Sequence, residues 1–296
     1  MSEMRITFLG TSASAPTRDR GLPAVFLEFR GEGFLFDVGE GTQRQFMRCG
    51  RSIMKVDHVF ISHYHGDHVF GLPGLLSTLA LYGRDKPLHV WAPARQLPHV
   101  ERFLGSLPTG VDYPVHYHGV EEGELVRTES YAVRAYRLDH TAECYAYVFE
   151  EAEKVKADKE AVRKLGIEGP LVRELKAGRP VLWNGRVVRP EDVVYRVPGR
   201  KVVYAVDTRP VVHGYARGAT VLVHDSTFSH SDLCLALERK HSTAREAAEL
   251  ARALGVKRLV LFHFSTRVKD VSVLEREARA VFENSVAAYD GYTLEI

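Results

Sequence analysis

Cysteine is scarce: Cys49, Cys144 and Cys234 are the only three in a chain of 296 residues. They are too few and too scattered for a disulfide framework, and without a Cys-x-x-Cys pair there is no thiolate clamp for a structural metal. Long apolar runs are missing too. The longest uncharged stretch, 69–83, is interrupted by Gly71, Pro73 and Gly74, whereas a membrane span needs roughly 18 apolar residues. The first nine residues carry Glu3 and Arg5 and no apolar core, so no signal peptide is read and a cytoplasmic protein without a membrane partner is expected. Net charge is almost absent, with 40 Lys and Arg against 38 Asp and Glu. That excludes a polybasic chain but leaves room for a local basic face. Amides are the last shortage: three Gln and two Asn, while Arg outnumbers Lys 29 to 11, a bias expected of a heat-tolerant protein or, for the Arg, of a GC-rich genome.

What is present is an ordinary globular composition, 45% apolar and 26% charged, in a length that suits one large α/β domain. Runs rich in Phe, Ile, Leu and Val predict strands over 5–9, 24–29, 34–37, 58–62 and 88–92. A hairpin-like pair is expected over 131–138 and 144–150, and further buried strands over 201–206, 220–224 and 258–264. Helical patterns cover 73–82, 95–104, 242–254 and 273–282, the third with Ser242 or Thr243 as N-cap and Gly255 as stop. Strands at both ends with helices between them predict a layered α/β sandwich in two similar halves, a single domain over 1–296. The segment of about 151–180 differs in being charged and helical in pattern, and reads as an insertion.

Fourteen histidines are many, and they are not scattered. The decisive stretch is His58-Val-Phe-Ile-Ser-His-Tyr-His-Gly-Asp-His68, a strand followed at once by a dense set of ligands. His63 and His65 lie two apart, so in extended backbone they share a side and can share one ion. Gly66 permits a sharp turn that presents Asp67 and His68 as a second pair. Imidazole and carboxylate are ligands Zn²⁺ favours. His140, Asp207 and His263 each follow an apolar strand and fit the same rim, and the two oxygens of Asp207 can bridge two ions.

This pattern resembles the metallo-β-lactamase superfamily, whose shared signature is the His-x-His-x-Asp-His run. Within it, Leu9-Gly-Thr-Ser-Ala-Ser-Ala-Pro-Thr, Asp37-Val-Gly-Glu-Gly-Thr-Gln-Arg-Gln, Val206-Asp-Thr-Arg, His224-Asp-Ser-Thr-Phe and His241-Ser-Thr-Ala look like tRNase Z, the endonuclease that trims the 3′ trailer from precursor tRNA. The resemblance runs over about 5–290. It implies an αβ/βα four-layer sandwich with a small protruding helical arm, and two Zn²⁺ per subunit. His63, His65 and His140 would hold one ion, Asp67, His68 and His263 the other, and Asp207 would bridge. Asp37 would orient ligands from below. A homodimer is implied as well, the arm of one subunit serving the other's active site. The chain departs from the family pattern twice: Asp225 stands where Glu is usual, with a shorter reach, and the loop 16–21 ends in Gly21 where Asn is common.

Two zinc ions about 3.5–4 Å apart would make hydroxide available near neutral pH and neutralise a phosphorane-like transition state. Asp67 would orient the attacking oxygen, His241 would protonate the leaving 3′-oxygen, and Asp225 would fix the His241 tautomer and raise its pKa. A phosphodiesterase for small or cyclic phosphodiesters would share the metal ligands but have no need of the His241 motif or the insertion. A non-catalytic RNA-binding protein with structural zinc fits poorly, since the seven candidate ligands include no Cys. In the insertion, Lys156, Lys159 and Arg163 are spaced three and four apart, which predicts a helix with one basic face, and Gly166, Gly169 and Pro170 break it before a second short helix over 171–176. A segment 165–171 that looks like the Gly-Pro element of the family's substrate-clamping arm suggests contact with the tRNA backbone.

Overall fold

The computed structural model describes residues 3–106, 110–211 and 214–296. Two seven-stranded sheets carry the larger of two compact units. The first runs Thr293–Glu295, Met4–Gly10, Ala24–Phe29, Glu32–Phe36, Val56–Phe60, Leu88–Pro93, Val115–Val120. The second runs Ser285–Ala287, Leu259–Phe262, Val221–Asp225, Lys201–Ala205, Tyr145–Glu151, Tyr131–Arg137, Gly123–Arg127. Each sheet has a parallel part, Glu32–Phe36 through Val115–Val120 in one and Lys201–Ala205 through Ser285–Ala287 in the other.

An aromatic layer fills the space between the sheets. Phe36 stacks on Tyr204 at 5.4 Å, Phe34 meets Phe149 edge-on at 5.1 Å, and Phe8 lies 5.8 Å from Phe262. The outer faces are covered by helices. Leu72, Leu75, Leu76 and Leu79, on one face of the helix Leu72–Leu81, pack against Leu35, Val59 and Val90. On the other side Ala247, Ala248, Ala251 and Leu254 of the helix Ala244–Leu254 pack against Val203, Leu222 and Leu261. Helix, sheet, sheet, helix is the four-layer sandwich expected. Thr243 caps that last helix, with Glu246 completing a capping box, and Gly255 ends it at φ 63°.

The second compact unit comprises 128–132 and 150–200, so it runs some way past the end read from sequence. It has a small core of Ile167, Leu175, Val181, Val188 and Val193. Helices Lys159–Leu165 and Gly169–Lys176 are joined by two antiparallel ribbons, Lys154–Ala157 with Val194–Val197 and Val181–Trp183 with Arg186–Val188. Lys156 therefore lies in a strand. Asp158 accepts from the amides of Glu160 and Ala161 and starts the helix only at Lys159, which breaks the basic face that spacing alone suggested. Pro170 sits in the first turn of its helix, where its missing N–H costs nothing.

Candidate metal centre

The parallel strands end where the chemistry begins. Asp37, Asp207 and His263 follow the strands Glu32–Phe36, Lys201–Ala205 and Leu259–Phe262, and all three hold left-handed backbone at φ 57°, 54° and 66°. Such conformations cost energy for residues with a Cβ and persist where their surroundings fix them.

His63 Nε2 lies 2.9 Å from His65 Nδ1, and His140 Nε2 lies 3.4 Å from the same atom. One ligating atom each from His63, His65, His140 and Asp207 falls within 4.8 Å of the others, and so does one each from Asp67, His68 and His263. Asp207 faces both groups. Its Oδ2 is 3.5 Å from His63 Nε2 and 3.6 Å from His140 Nε2. Its Oδ1 is 3.0 Å from His263 Nε2 and 3.6 Å from His68 Nε2. Asp67 Oδ2 closes the second group, 3.4 Å from His68 Nε2 and 3.6 Å from His263 Nε2.

The rings are aimed from behind. Asp37 is fully buried and accepts from the Ser62 amide at 2.7 Å, the Ser62 hydroxyl at 2.8 Å and the Tyr204 hydroxyl at 2.8 Å. The same carboxylate takes His68 Nδ1 at 2.7 Å, which turns His68 Nε2 toward Asp207. Thr227 Oγ1 meets His263 Nδ1 at 3.1 Å, and the Ser14 amide donates to Asp67 Oδ2 at 2.7 Å.

These residues suit bound metal. His68 Nε2, His263 Nε2 and Asp207 Oδ1 are buried and lack a hydrogen-bond partner among the described residues, yet they converge on one space. Groups of this kind are costly unless something pairs them. Burial works against charge on His263, but Asp207 and Asp67 outweigh it and push its pKa up to about 10. His68 is raised in the same way, against burial, by Asp207 and Asp37. The carboxylates thus demand positive charge here, and a cation held by neutral imidazoles meets that demand. Burial, followed by the neighbouring His68, keeps His63 neutral, and burial keeps His140 neutral.

His241 stands beside the cluster, its ring 5.4 Å from that of His140 and 5.5 Å from that of His263. Its Nδ1 lies 2.7 Å from Asp225 Oδ2, so the shorter acid reaches it. Asp225 is itself fixed by the amides of Thr208, Thr227 and Ser242 and by the Thr227 hydroxyl. Burial lowers the His241 pKa, but Asp225 outweighs it and the net shift is upward. Arg209 clamps the His241 carbonyl and Glu246, tying the residue to the start of its helix. Ser14, Thr227, Tyr204 and Arg209 escape a reading of ligand chemistry because they touch ligands or their supports rather than the ligand space. Their one signal in the sequence is that Ser14, Thr227 and Arg209 lie inside the motifs around Thr11, His224 and Asp207.

A family model described as anti-Pycsar protein Apyc1 matches residues 4–165. The ribonuclease Z of Methanosarcina acetivorans is 40% identical, covering 99% of this chain and 98% of its own length. Human tRNase Z, short form, is a solved structure 27% identical with a TM-score of 0.73, covering 99% of each chain. A metallo-β-lactamase fold protein of Bacillus subtilis, 15% identical, superposes over both full chains with a TM-score of 0.71, a likeness of fold alone.

Proposed function

The chain belongs to the ribonuclease Z family, and through residues 4–165 also to the family described as anti-Pycsar protein Apyc1; from this we propose a zinc-dependent endoribonuclease that removes the 3′ trailer from precursor tRNA and leaves a 3′-hydroxyl. The observation that carries the reading is Asp207, whose two oxygens face two separate ligand groups. It supports two ions per subunit, one on His63, His65 and His140, the other on Asp67, His68 and His263. Two zinc ions held there would acidify a water and offset charge developing on the phosphoryl oxygens.

The remaining work falls to the chain's own groups. Burial tends to raise the Asp67 pKa, but the facing His263 and His68 rings, 3.6 and 3.4 Å from its Oδ2, hold it far below the usual carboxylate range. Asp67 is therefore an ionised acceptor that orients the attacking water. His241 holds Nδ1 toward Asp225, leaving Nε2 to pass a proton to the leaving 3′-oxygen. Asp225 acts through His241 by favouring its charged form. A near-neutral chain has little general attraction for a polyanion, so the unit at 150–200, with Lys156, Lys159 and Lys176, is the candidate clamp for the tRNA backbone. A homodimer would let one subunit's clamp serve its partner.

The match at 4–165 stops before Asp207, Asp225, His241 and His263, whereas the ribonuclease Z relative covers them all. A phosphodiesterase for small or cyclic phosphodiesters would share the ligands but need neither the His241–Asp225 pair nor the unit at 150–200, and the presence of both favours tRNA. The test is to offer the purified protein 5′-end-labelled precursor tRNA and, in parallel, cyclic nucleotides. A single tRNA product bearing a 3′-hydroxyl is expected; efficient cyclic-nucleotide hydrolysis with intact precursor would overturn the reading.

A further inference from the structure

Gly21, one of the two departures from the family pattern, lies in an anchorage that the chemistry above does not use. Asp290, half-buried between the strands Ser285–Ala287 and Thr293–Glu295, gathers three neutral donors. Its Oδ2 accepts the Gly21 amide at 2.7 Å and Gln45 Nε2 at 2.5 Å, and its Oδ1 accepts the Thr11 hydroxyl at 2.9 Å. Gln45 Nε2 also donates to the Leu9 carbonyl at 2.6 Å. A Cβ at position 21 would lie 2.8 Å from Gln45 Nε2 and 3.3 Å from Asp290 Oδ2. Gln45 and Asp290 thus occupy the space a side chain there would need.

The loop held this way, 11–21, leads directly to the ligands. Ser12 N donates to the Gly21 carbonyl at 2.9 Å and closes the base of the loop. Residues 11–13 pair with Phe264, which donates to the Thr11 carbonyl and accepts from the Ala13 amide, both at 2.9 Å. Phe264 is the neighbour of His263. At the loop tip Ser14, in left-handed backbone at φ 61°, donates its amide to Asp67 Oδ2. Arg20 adds bonds to the carbonyls of Ser265 and Val268. Asp290 grips both ends of a loop that touches Asp67 through Ser14 and pairs with Phe264, the neighbour of His263.

We propose that Asp290 is a positioning residue for the Asp67–His68–His263 ion position, acting through the 11–21 loop. The inference rests on the two-ion reading of the centre. Direct hydrogen-bond partners of metal ligands change metal affinity by about 10–100-fold when removed, and the Ser14 amide that this loop carries is such a partner of Asp67. Without Asp290 the Ser14 amide is no longer held on Asp67 Oδ2, and the other ion position, on His63, His65 and His140, loses nothing.

The test is cobalt titration of the metal-free protein followed by visible absorption, which needs no RNA. Wild type is expected to take up two equivalents. Asp290→Ala is expected to bind the first as wild type does and the second about 10–100-fold more weakly, with kcat on precursor tRNA reduced and KM unchanged. Asp290→Asn keeps an acceptor for Gly21 and Gln45 and offers Thr11 a donor, so it should restore most of the lost affinity. An Asp290→Ala that binds both ions as wild type does overturns the inference. So does equal weakening of both positions with a lower Tm of the metal-free protein, or an Asp290→Asn as impaired as Asp290→Ala. A wild type that takes up no second cobalt instead overturns the two-ion reading beneath it.

Discussion

His241 combines near-burial with a charge-favouring partner at 2.7 Å. On the proposal that its Nε2 serves the leaving group rather than an ion, His241→Ala is expected to slow precursor cleavage by about 10²–10⁴-fold while zinc content, measured by atomic absorption, stays at the wild-type level. Loss of zinc would make it a ligand instead. At this scale the sequence was legible wherever a side chain meets the ion space directly. The run His63 to His68 is dense enough in donors to be read on chemistry alone, and His140, Asp207 and His263 betray themselves by following apolar strands. Ser14 works through a backbone amide, which no side chain advertises, and Asp290 lies 223 positions from Asp67 in the chain. Residues of that kind become visible only when the fold brings them together.

Elements show the same division. The strand Val56–Phe60 carries His58, which stacks on Phe34 at 5.3 Å, lies 5.1 Å from His89 and accepts from Trp91 Nε1. Burial, then His89 and His118, lower its pKa from 6.5 to about 4. The unfolded chain therefore binds this proton first. Stability is complete above about pH 6.5 and is lost as pH falls toward 4. Phe at this position keeps the stack and cannot titrate, so His58→Phe should gain on wild type between pH 8 and pH 5 in urea unfolding of the metal-free protein. A difference that does not change with pH would contradict this. The insertion is where helix periodicity misled. Lys154 pairs with Val197 across an antiparallel ribbon, a contact between residues far apart in sequence that no local pattern encodes. The turn Asn184-Gly185, with φ 48° and 74°, carries a hairpin signal that lay outside the insertion as read from sequence, which ended at about 180. Because Lys154 and Val197 are Cα partners, excising 154–197 and closing with glycines leaves the ends adjacent. Precursor-tRNA cleavage is expected to collapse while hydrolysis of bis-p-nitrophenyl phosphate survives. If both fall together, the segment belongs to the catalytic fold.

In the larger unit, two sheets sealed by an aromatic layer bring strand ends from distant parts of the chain to one rim, and this gathers the seven candidate ligands into one centre. Among the described residues no helix is long and apolar enough to cross a membrane. The sandwich was legible because apolar strands, caps and turns agree in both halves of the sequence. The order of strands in each sheet was not, since pairings such as Met4–Gly10 with Thr293–Glu295 close over nearly the whole chain. The claim that most needs testing is that the two ligand groups around Asp207 work together on RNA. Metal-free protein should be titrated with Zn²⁺ while cleavage of end-labelled precursor tRNA is followed. Cleavage should be absent at the start, rise with added zinc and saturate at two equivalents per chain. Cleavage without metal, saturation at one equivalent, or intact precursor at every zinc concentration would contradict it.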